Sequence, residues 1–288
     1  MKQILVISGK GGTGKTVVAA SLAALANKSV IADCDVDAAD LHLLLHPEIR
    51  QTQIFTGLPK AVIDQEKCTS CGGCVEVCKY NAILKNDELQ FKIDTISCEG
   101  CAVCTHVCPV SAIFMTKHEA GQWFISETQF GTMVHAKLGI AEENSGMLVT
   151  TVRKEAQAIA QKNNLEYVII DGPPGIGCPV IASLTGVDIA LIVTEPTLSG
   201  IHDMTRVLKL ANSLGIKAAC VINKYDININ NTEKISDLCH NTETPIFGKI
   251  PYDESVIESI VAGVPLTMHV NNDTTAVLKQ IWQQLKKY

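Results

Sequence analysis

The segment from Gly9 to Thr16 constrains the fold of this chain more than any other. It reads Gly-Lys-Gly-Gly-Thr-Gly-Lys-Thr, which fits the G-x-x-x-x-G-K-[ST] pattern of loops that wrap nucleotide phosphates. The apolar run Ile4–Ile7 precedes it and predicts a buried strand, and residues 17–26 predict a helix. Glycines let the backbone curl around an anion, and the following helix directs its N-terminal amides at the phosphates. The sequence therefore predicts a strand, a phosphate-binding loop and a helix in succession.

The end of this loop carries the two side chains with the clearest chemistry. Lys15 is expected to reach the β- and γ-phosphates, and the Thr16 hydroxyl is expected to bind Mg²⁺. The remaining contacts come from backbone N–H groups. The predicted nucleotide-binding residues of this region are Gly11, Gly12, Thr13, Gly14, Lys15, Thr16 and Val17.

Aspartates follow two of the predicted strands. Asp171 ends the apolar run 167–170 and precedes Gly-Pro-Pro-Gly, which is where a carboxylate that holds Mg²⁺ or its waters is found. Asp35 follows the second strand, at the carboxyl edge where open α/β sheets place ligands, and it would orient the attacking water and join Thr16 and Asp171 around Mg²⁺. Asp33 and Asp37 are alternatives for that role.

Composition indicates a globular protein with a large core. The chain has 288 residues, a hydrophobic content of 47% and a formal net charge of −6. Nothing in it resembles a basic footprint for nucleic-acid phosphates, and no apolar run approaches the ~18 residues of a membrane span. Because the first strand begins at once, we expect no signal peptide and a cytoplasmic location.

Strand and helix patterns alternate through most of the chain, which predicts an α/β fold with a mostly parallel, doubly wound sheet. Residues 38–45 are predicted to be helical, and the sequence from there to about Pro59 reads as irregular. The predicted domains are a first part of the phosphate-loop domain at 1–60, an insert at 61–116 and a second part at 117–288. The later elements are predicted as a helix at 148–162, strands at 167–170, 189–193, 218–222 and 246–250, and helices at 201–214 and 231–240.

The insert is defined by its cysteines. Of twelve cysteines, eight lie between Cys68 and Cys108. In a reducing compartment such a dense group indicates metal binding rather than disulfides. Zinc usually takes two well-separated pairs of cysteines, whereas here the run C-x₂-C-x₂-C-x₃-C occurs twice. That run is typical of bacterial ferredoxins with two [4Fe–4S] clusters.

In such a run three cysteines bind one cluster and the fourth binds the other. One departure from the ferredoxin pattern is visible, because Lys79 follows Cys78 where a proline is usual. This departure affects the local turn and the potential of the neighbouring cluster rather than ligation. The predicted ligand sets are Cys68, Cys71, Cys74 and Cys108 for the first cluster, and Cys78, Cys98, Cys101 and Cys104 for the second.

The phosphate loop resembles a variant found in one group of ATPases. With Lys10 inside the loop, it is similar to the deviant Walker motif of the MinD/ParA group, which includes the nitrogenase iron protein and the Mrp-type iron–sulfur carriers. Asp33-Cys34-Asp35, Asp-Gly-Pro-Pro-Gly at 171–175 and Ile-Pro-Tyr-Asp at 250–253 match that group as well. The resemblance covers nearly the whole chain outside the insert.

This resemblance implies a dimer that sandwiches two ATP molecules, in which Lys10 of one subunit reaches the phosphates bound by the other. It also implies that Asn223 contacts the adenine, with Pro251 and Asp253 near the base. The sequence Asn-Lys-Tyr-Asp at 223–226 also matches the guanine-specifying N-K-x-D pattern, so GTP stays an alternative to ATP. The segment 194–197 is expected either to face the dimer seam or to form a turn.

A two-cluster ferredoxin inserted into such an ATPase is itself a known arrangement, and the chain resembles the MinD superfamily ATPases that contain it. The resemblance implies ATP, Mg²⁺ and two [4Fe–4S] clusters as cofactors. It implies a redox-linked ATPase that changes its dimer with nucleotide and passes electrons to an acceptor. A cluster-assembly or carrier ATPase of the Mrp kind is one alternative, and a MinD-like positioning switch is another.

The same resemblance suggests partners for the chain. They are a second copy or a paralogous ATPase subunit, and a redox or metal-cofactor protein. Neither nucleic acid nor a membrane is expected, because the amphipathic stretch 276–285 fits a final core helix better than a membrane tail. His135 and Cys178 are expected to be a packed or surface histidine and a buried structural cysteine, although a ligand contact and a redox role stay possible.

Overall fold

The structure is a computed structural model that describes residues 1–26, 29–86, 90–139, 142 and 145–288. The chain divides into two compact units. Unit 1 comprises Met1–Gln53, Trp123–Lys137 and Ser145–Tyr288, and unit 2 comprises Ile54–Gln122 and Leu138–Asn144. The predicted insert at 61–116 lies within unit 2.

The strands are β1 Lys2–Ser8, β2 Ser29–Asp33, β3 Glu48–Thr56, β4 Lys60–Ile63, β5 Ile83–Lys85, β6 Phe91–Ile93, β7 Ile113–Thr116, β8 Glu119–Thr128, β9 Gly131–Leu138, β10 Tyr167–Pro174, β11 Ile189–Thr194, β12 Ala218–Asn223 and β13 Ile246–Ile250. The helices are α1 Lys15–Leu25, α2 His42–Leu45, α3 Gly73–Val77, α4 Val103–Val107, α5 Ser145–Lys162, α6 Cys178–Leu184, α7 Leu198–Ser213, α8 Ile229–Asn241, α9 Ser255–Val261, α10 Leu266–His269 and α11 Asp273–Lys287.

The large sheet has the order β13-β12-β11-β1-β10-β2-β9-β8-β3 among the described residues. Strand β1 pairs in parallel with β10 and β11, and the ladders β10–β2, β2–β9, β11–β12 and β12–β13 are parallel too. The predicted parallel α/β sheet is therefore confirmed. Its central strands carry almost uninterrupted apolar residues, because both faces of a parallel sheet are covered by helices.

The strand order explains the double winding. The chain moves from β1 through α1 to β2 in one direction along the sheet, and from β10 through α6 to β11 in the other. Because such crossovers are right-handed, this reversal places α1 and α6 on opposite faces. The carboxyl ends of β1, β2 and β10 meet at one edge beside this reversal, which is where sheets of this type bind ligands.

Helix α11 completes the core of unit 1. Its residues Leu278, Ile281, Trp282 and Leu285 are buried in one apolar cluster with α1 and with alternate residues of β1, β11 and β12. Asn272 caps it by accepting a hydrogen bond from the backbone N–H of Thr275. The apolar face of the stretch 276–285 therefore packs inside the protein.

Unit 2 is built from two similar halves. Strands β4 and β7 pair antiparallel, with Lys60 opposite Thr116, and β5 and β6 pair antiparallel, with Ile83 opposite Ile93. Each half contains a short helix, α3 or α4, that is preceded by a residue with positive φ. Its small core is formed mainly by short aliphatic side chains and by cysteines.

Two local predictions were wrong. The segment after Pro47 is not irregular, because Glu48–Thr56 forms β3 at the edge of the large sheet. Most of its side chains are exposed, so it lacks the apolar run that marks the central strands. The helix predicted at 38–45 is limited to His42–Leu45.

The stretch from Trp123 to Gly146, in which the sequence shows no clear pattern, contains most of β8, all of β9 and the start of α5. Residues 140, 141, 143 and 144 of this stretch lie outside the described residues.

Candidate functional site

The phosphate loop connects β1 to α1 at the carboxyl edge of the sheet. Gly12 and Gly14 have φ values of 77° and 89°, in the left-handed region that favours glycine. A Cβ on Gly14 would also collide with the side-chain amide of Asn223. Helix α1 begins at Lys15, directly after the loop, so its free N-terminal amides face the space that the loop encloses.

Three predicted site residues meet at the end of this loop. The Lys15 Nζ donates to Asp35 Oδ2 at 2.5 Å and lies 3.8 Å from Asp171 Oδ1. All three side chains are buried. Asp171 lies opposite Val6 of β1 and Asp33 of β2 in the parallel ladders, which explains how residues far apart in sequence meet here.

The structure distinguishes the three aspartates that follow β2. Asp35 contacts Lys15, whereas Asp33 is buried behind it and accepts a hydrogen bond from the Asp35 backbone N–H at 3.2 Å. Asp37 is exposed. Asp35 is thus the member of the group that faces the loop, and its role toward water stays a prediction.

Burial controls the protonation of this site. It raises the pKa of Asp171 to about 6, although Lys15 acts in the opposite direction. Burial, together with Asp171, also raises the pKa of Asp33 well above its ordinary value. For Lys15, burial alone would lower the pKa, but the carboxylates of Asp171 and Asp35 raise it overall. The site therefore concentrates negative charge that one lysine only partly offsets.

Several buried oxygens at this edge have no hydrogen-bond partner among the described residues: Thr13 Oγ1, Asp33 Oδ2 and Asp171 Oδ1. Unpaired buried polar atoms are costly, so such a group indicates a ligand that would satisfy them. Carboxylate and hydroxyl oxygens are the donors that Mg²⁺ prefers. The residues present therefore fit a magnesium-bound nucleotide.

We predict that Asp171→Asn stabilises the nucleotide-free protein. Because the folded-state pKa of Asp171 is about 6, above the ordinary 3.8, folding takes up a proton between these pH values. The penalty for burying the carboxylate is absent below pH 4 and complete above pH 6. Removing it should increase the free energy of unfolding by roughly 2–3 kcal/mol at pH 7. Urea unfolding at pH 7 and pH 4 measures this gain, which should vanish at the lower pH.

Asp253→Asn is the matched control, because the pKa of Asp253 is lowered whereas that of Asp171 is raised. Burial alone would raise the pKa of Asp253, but hydrogen bonds from Ser255, Thr274 and Asn272 lower it overall. Its carboxylate therefore adds stability at pH 7, and the asparagine variant should be less stable there. An Asp171→Asn protein that loses stability at pH 7 would contradict the prediction.

The residues assigned to the base are placed differently. Asn223 lies beside the loop, where its Nδ2 donates to the Thr13 carbonyl at 2.8 Å. The carboxylate of Asp253 instead joins two helices, since it accepts from Asn272 Nδ2 at 2.7 Å and from Thr274 Oγ1 at 2.5 Å. Pro251 is partly buried next to β13. Contact of these three residues with a base stays a prediction.

Lys10 contacts its own chain. Its Nζ lies 2.6 Å from Glu195 Oε1 and donates to Ser199 and Thr197 hydroxyls at 3.1 and 3.2 Å. Sequence reasoning placed the segment 194–197 at a seam or in a turn, and it missed this ion pair. The available signal was only that both segments end strands that lie side by side in the sheet.

In unit 2 the eight clustered cysteines line two cavities. One is lined by Cys68, Cys71, Cys74 and Cys108. The other is lined by Cys78, Cys98, Cys101 and Cys104. The structure thus brings together the same two sets of four that the spacing predicted. No group of three or more His, Cys, Asp or Glu side chains is arranged to hold a single metal ion within the described ranges.

The cavity walls suit thiolate ligands. Backbone N–H groups of Ala82 and Ala112 donate to Cys78 Sγ at 3.4 Å and to Cys108 Sγ at 3.2 Å. Lys60 Nζ donates to the Cys98 carbonyl at 2.6 Å. Sequence reasoning missed these three donors. Each cavity therefore presents four thiols, one of which accepts a hydrogen bond from a backbone N–H, on mostly apolar walls, and this donor set fits a [4Fe–4S] cluster.

The remaining residues of interest lie outside these sites. His135 is partly buried, stacks near Phe124 and pairs with Ser126 Oγ at 2.8 Å, and burial lowers its pKa to about 4. Cys178 is exposed at the start of α6, so the expectation of a buried cysteine was wrong. Cys34, Cys220 and Cys239 are buried.

The family model for the CobQ/CobB/MinD/ParA nucleotide binding domain matches residues 4–266. The chain belongs to this family. Its nucleotide-binding loop and sheet are those of the MinD/ParA type.

Two proteins of Methanocaldococcus jannaschii are similar along nearly their whole length. "Uncharacterized protein MJ0578" is 34% identical over 99% of this chain and 97% of its own. "Uncharacterized protein MJ0579" is 31% identical over 91% of this chain and 90% of its own.

A solved structure supports the same fold. The septum site-determining protein MinD of Pyrococcus horikoshii, complexed with Mg-ADP, has a TM-score of 0.61 and 18% identity, and the match covers 99% of this chain and 96% of that one. In the part of the chain that the structure describes, no helix is long and apolar enough to cross a membrane.

Proposed function

We propose that this protein is an ATPase of the MinD/ParA type that couples ATP-driven dimer changes to electron transfer through two [4Fe–4S] clusters. The observation that carries this proposal is the placement of eight cysteines on two cavities, four on each. Their sets follow the crosswise ligation of bacterial ferredoxins. When bound, such clusters supply one-electron transfer. The insert, residues 61–116, would be the unit that holds them.

The nucleotide half rests on the buried site at the sheet edge. Lys15 would bind the β- and γ-phosphates, because it is the lysine of the phosphate loop. Asp35 and Asp171 hold its Nζ at the sheet edge. Thr16 and Asp171 would hold Mg²⁺, and Asp35 would orient the attacking water. Lys10 of a second subunit would offset charge that develops on the phosphates. Asn223 would contact the base, and ATP is the nucleotide that the family membership favours.

The partner would be a second copy of the chain or a paralogous ATPase. Similarity to two proteins of one organism supports the paralogue, because an organism that keeps both can form a mixed dimer. A redox or metal-cofactor protein would receive the electrons. We do not propose nucleic acid as a partner, because the net charge of the chain is −6.

A MinD-like positioning switch is the second candidate. Its support is the similarity to proteins such as the septum site-determining MinD of Synechocystis, 25% identical over 92% of this chain. The cysteine cavities have no role in that function, so it explains less of the molecule. An Mrp-type carrier would use labile clusters on few exposed cysteines, whereas most of these cysteines are partly or fully buried.

The deciding experiment measures ATP hydrolysis by anaerobically reconstituted protein, first with oxidised and then with dithionite-reduced clusters. We expect the rate to change several-fold between the two states, because the proposal couples them. If the rate of ATP hydrolysis is the same with oxidised and reduced clusters, and the iron content is unchanged, the isolated protein does not couple the two activities. Transfer of iron and sulfide to an apo-ferredoxin would favour the carrier, and ATP-dependent binding to lipid vesicles would favour the switch.

A further inference from the structure

Lys10 is fully engaged within its own chain. An ammonium group has three protons to donate, and three acceptors surround this one: Glu195 Oε1 at 2.6 Å, Ser199 Oγ at 3.1 Å and Thr197 Oγ1 at 3.2 Å. The Lys10 side chain is 27% exposed and that of Glu195 is 16% exposed, so the pair is partly shielded from water. A lysine held in this way cannot at the same time reach the nucleotide of another subunit.

Glu195 also connects Lys10 to Lys224 and, through it, to Asn223. Its Oε2 accepts from Lys224 Nζ at 3.4 Å, and the Lys224 backbone N–H donates to Asn223 Oδ1 at 3.0 Å. Asn223 in turn donates to the Thr13 carbonyl inside the loop. The Glu195 carboxylate thus links Lys10 with Asn223, the residue that we assign to the base.

The backbone around Glu195 is fixed. The Thr197 N–H donates to the Glu195 carbonyl at 2.8 Å, and Thr197 Oγ1 caps α7 by accepting from the Gly200 N–H at 3.0 Å. A Cβ on Gly200 would collide with the Glu195 carbonyl oxygen, so only glycine fits this turn. Because the backbone of the turn is held, the contact opens by movement of the Lys10 and Glu195 side chains, without rearrangement of the turn.

From these contacts we infer that Glu195 is a positioning residue that holds Lys10 on its own chain until nucleotide binding and dimer formation release it. This inference rests on the proposed ATP-driven dimer. Glu195 acts as a latch that keeps the nucleotide-free subunit from presenting Lys10.

Charge explains why the latch can open. Two lysines share the Glu195 carboxylate, so departure of Lys10 leaves Lys224 as its counter-ion. The penalty of an unpaired, largely buried carboxylate is thereby avoided. The phosphates of a nucleotide bound by a second subunit offer Lys10 a stronger concentration of negative charge than one carboxylate does. Release then depends on both nucleotide and dimer.

The first test needs no nucleotide. Limited acetylation with mass spectrometry measures the reactivity of Lys10 in the nucleotide-free protein, with the other lysines as internal references. In Glu195→Gln and Glu195→Ala, Lys10 should react about fivefold faster than in the wild type, since a partly exposed ion pair is lost. Glu195→Asp, which keeps the charge, should restore part of the protection. Glu233→Gln, an equivalent change at an exposed position on α8, should have no effect.

The second test measures dimer formation by analytical ultracentrifugation with a non-hydrolysable ATP analogue. Glu195→Gln should dimerise at about fivefold lower analogue concentration than the wild type. In a Lys10→Ala background the same substitution should give no gain. Because Lys10 is the target of the latch, a gain that persists without Lys10 would overturn the inference.

Different results would overturn the latch and the dimer. Equal Lys10 reactivity in the wild type and in folded Glu195 variants, with folding checked by circular dichroism, would overturn the latch. A wild-type protein that stays monomeric with the analogue would instead overturn the proposed dimer.

Discussion

Replacing Lys15 by alanine should abolish ATP hydrolysis, with a loss of at least ~100-fold in rate. Lys15 is the cation of the phosphate loop, and its Nζ lies between Asp35 and Asp171 at the edge where β1, β2 and β10 end. A bound nucleotide would bring further negative charge to a site that already contains two buried carboxylates. Without Lys15, these charges would repel the phosphates. The measurement is phosphate release under saturating Mg-ATP.

The control for this variant is Lys209→Ala, which removes a lysine from the exposed side of α7. It should hydrolyse ATP like the wild type. Since Lys15 also offsets the carboxylates in the nucleotide-free state, folding of Lys15→Ala must be checked, and Lys15→Gln provides a second variant that keeps the length of the side chain. If a folded Lys15 variant retains half of the activity, ATP hydrolysis does not take place at the phosphate loop.

Pairs of cysteine substitutions should remove iron in a pattern set by the cavities. The Cys68→Ala/Cys108→Ala protein loses two ligands from one cavity, so iron should fall from about eight to about four atoms per chain. The Cys104→Ala/Cys108→Ala protein lacks two cysteines that are close in sequence but line different cavities. It should lose both clusters and retain almost no iron. Iron and sulfide analysis with electron paramagnetic resonance of the reduced protein measures both outcomes.

Cys178→Ser is the matched control, because this cysteine is exposed and lies outside both cavities. It should keep its full iron content. The opposite pattern, with the Cys68/Cys108 protein empty and the Cys104/Cys108 protein half loaded, would mean that each run of four binds its own cluster. That result would contradict the crosswise assignment but not the presence of clusters.

Local sequence was sufficient where a motif and its flanking elements agree. The run before Gly9 and the helix after Gly14 were predictable, because a buried parallel strand is continuously apolar and a phosphate loop requires glycines at fixed places. The parallel sheet followed from the alternation of strands and helices. Strand β3 was missed, since its exposed residues at the sheet edge carry no apolar run and its partners lie far away in the chain.

The site shows the same division. Lys15 and Asp171 were predictable, because the carboxyl ends of parallel strands meet at one edge. The sequence left Asp33, Asp35 and Asp37 as alternatives, and only the ladder between β2 and β10 decided which of them faces Lys15. Similarly, nothing in the sequence indicated that Asn272 and Thr274 donate to the carboxylate of Asp253, because these groups meet only where the chain before α9 approaches the start of α11.

The sequence by itself determined the phosphate loop, the α/β class and the eight cysteines with their spacing, because each of these is encoded within a short segment. The tertiary structure decided which groups meet: Glu195 with Lys10, Asp35 rather than Asp33 or Asp37 with Lys15, and Asn223 with the Thr13 carbonyl. The physical reason is that such contacts join residues far apart in the chain, such as Thr13 and Asn223, which are separated by 210 positions. Their distances depend on strand order and register, which no local pattern specifies.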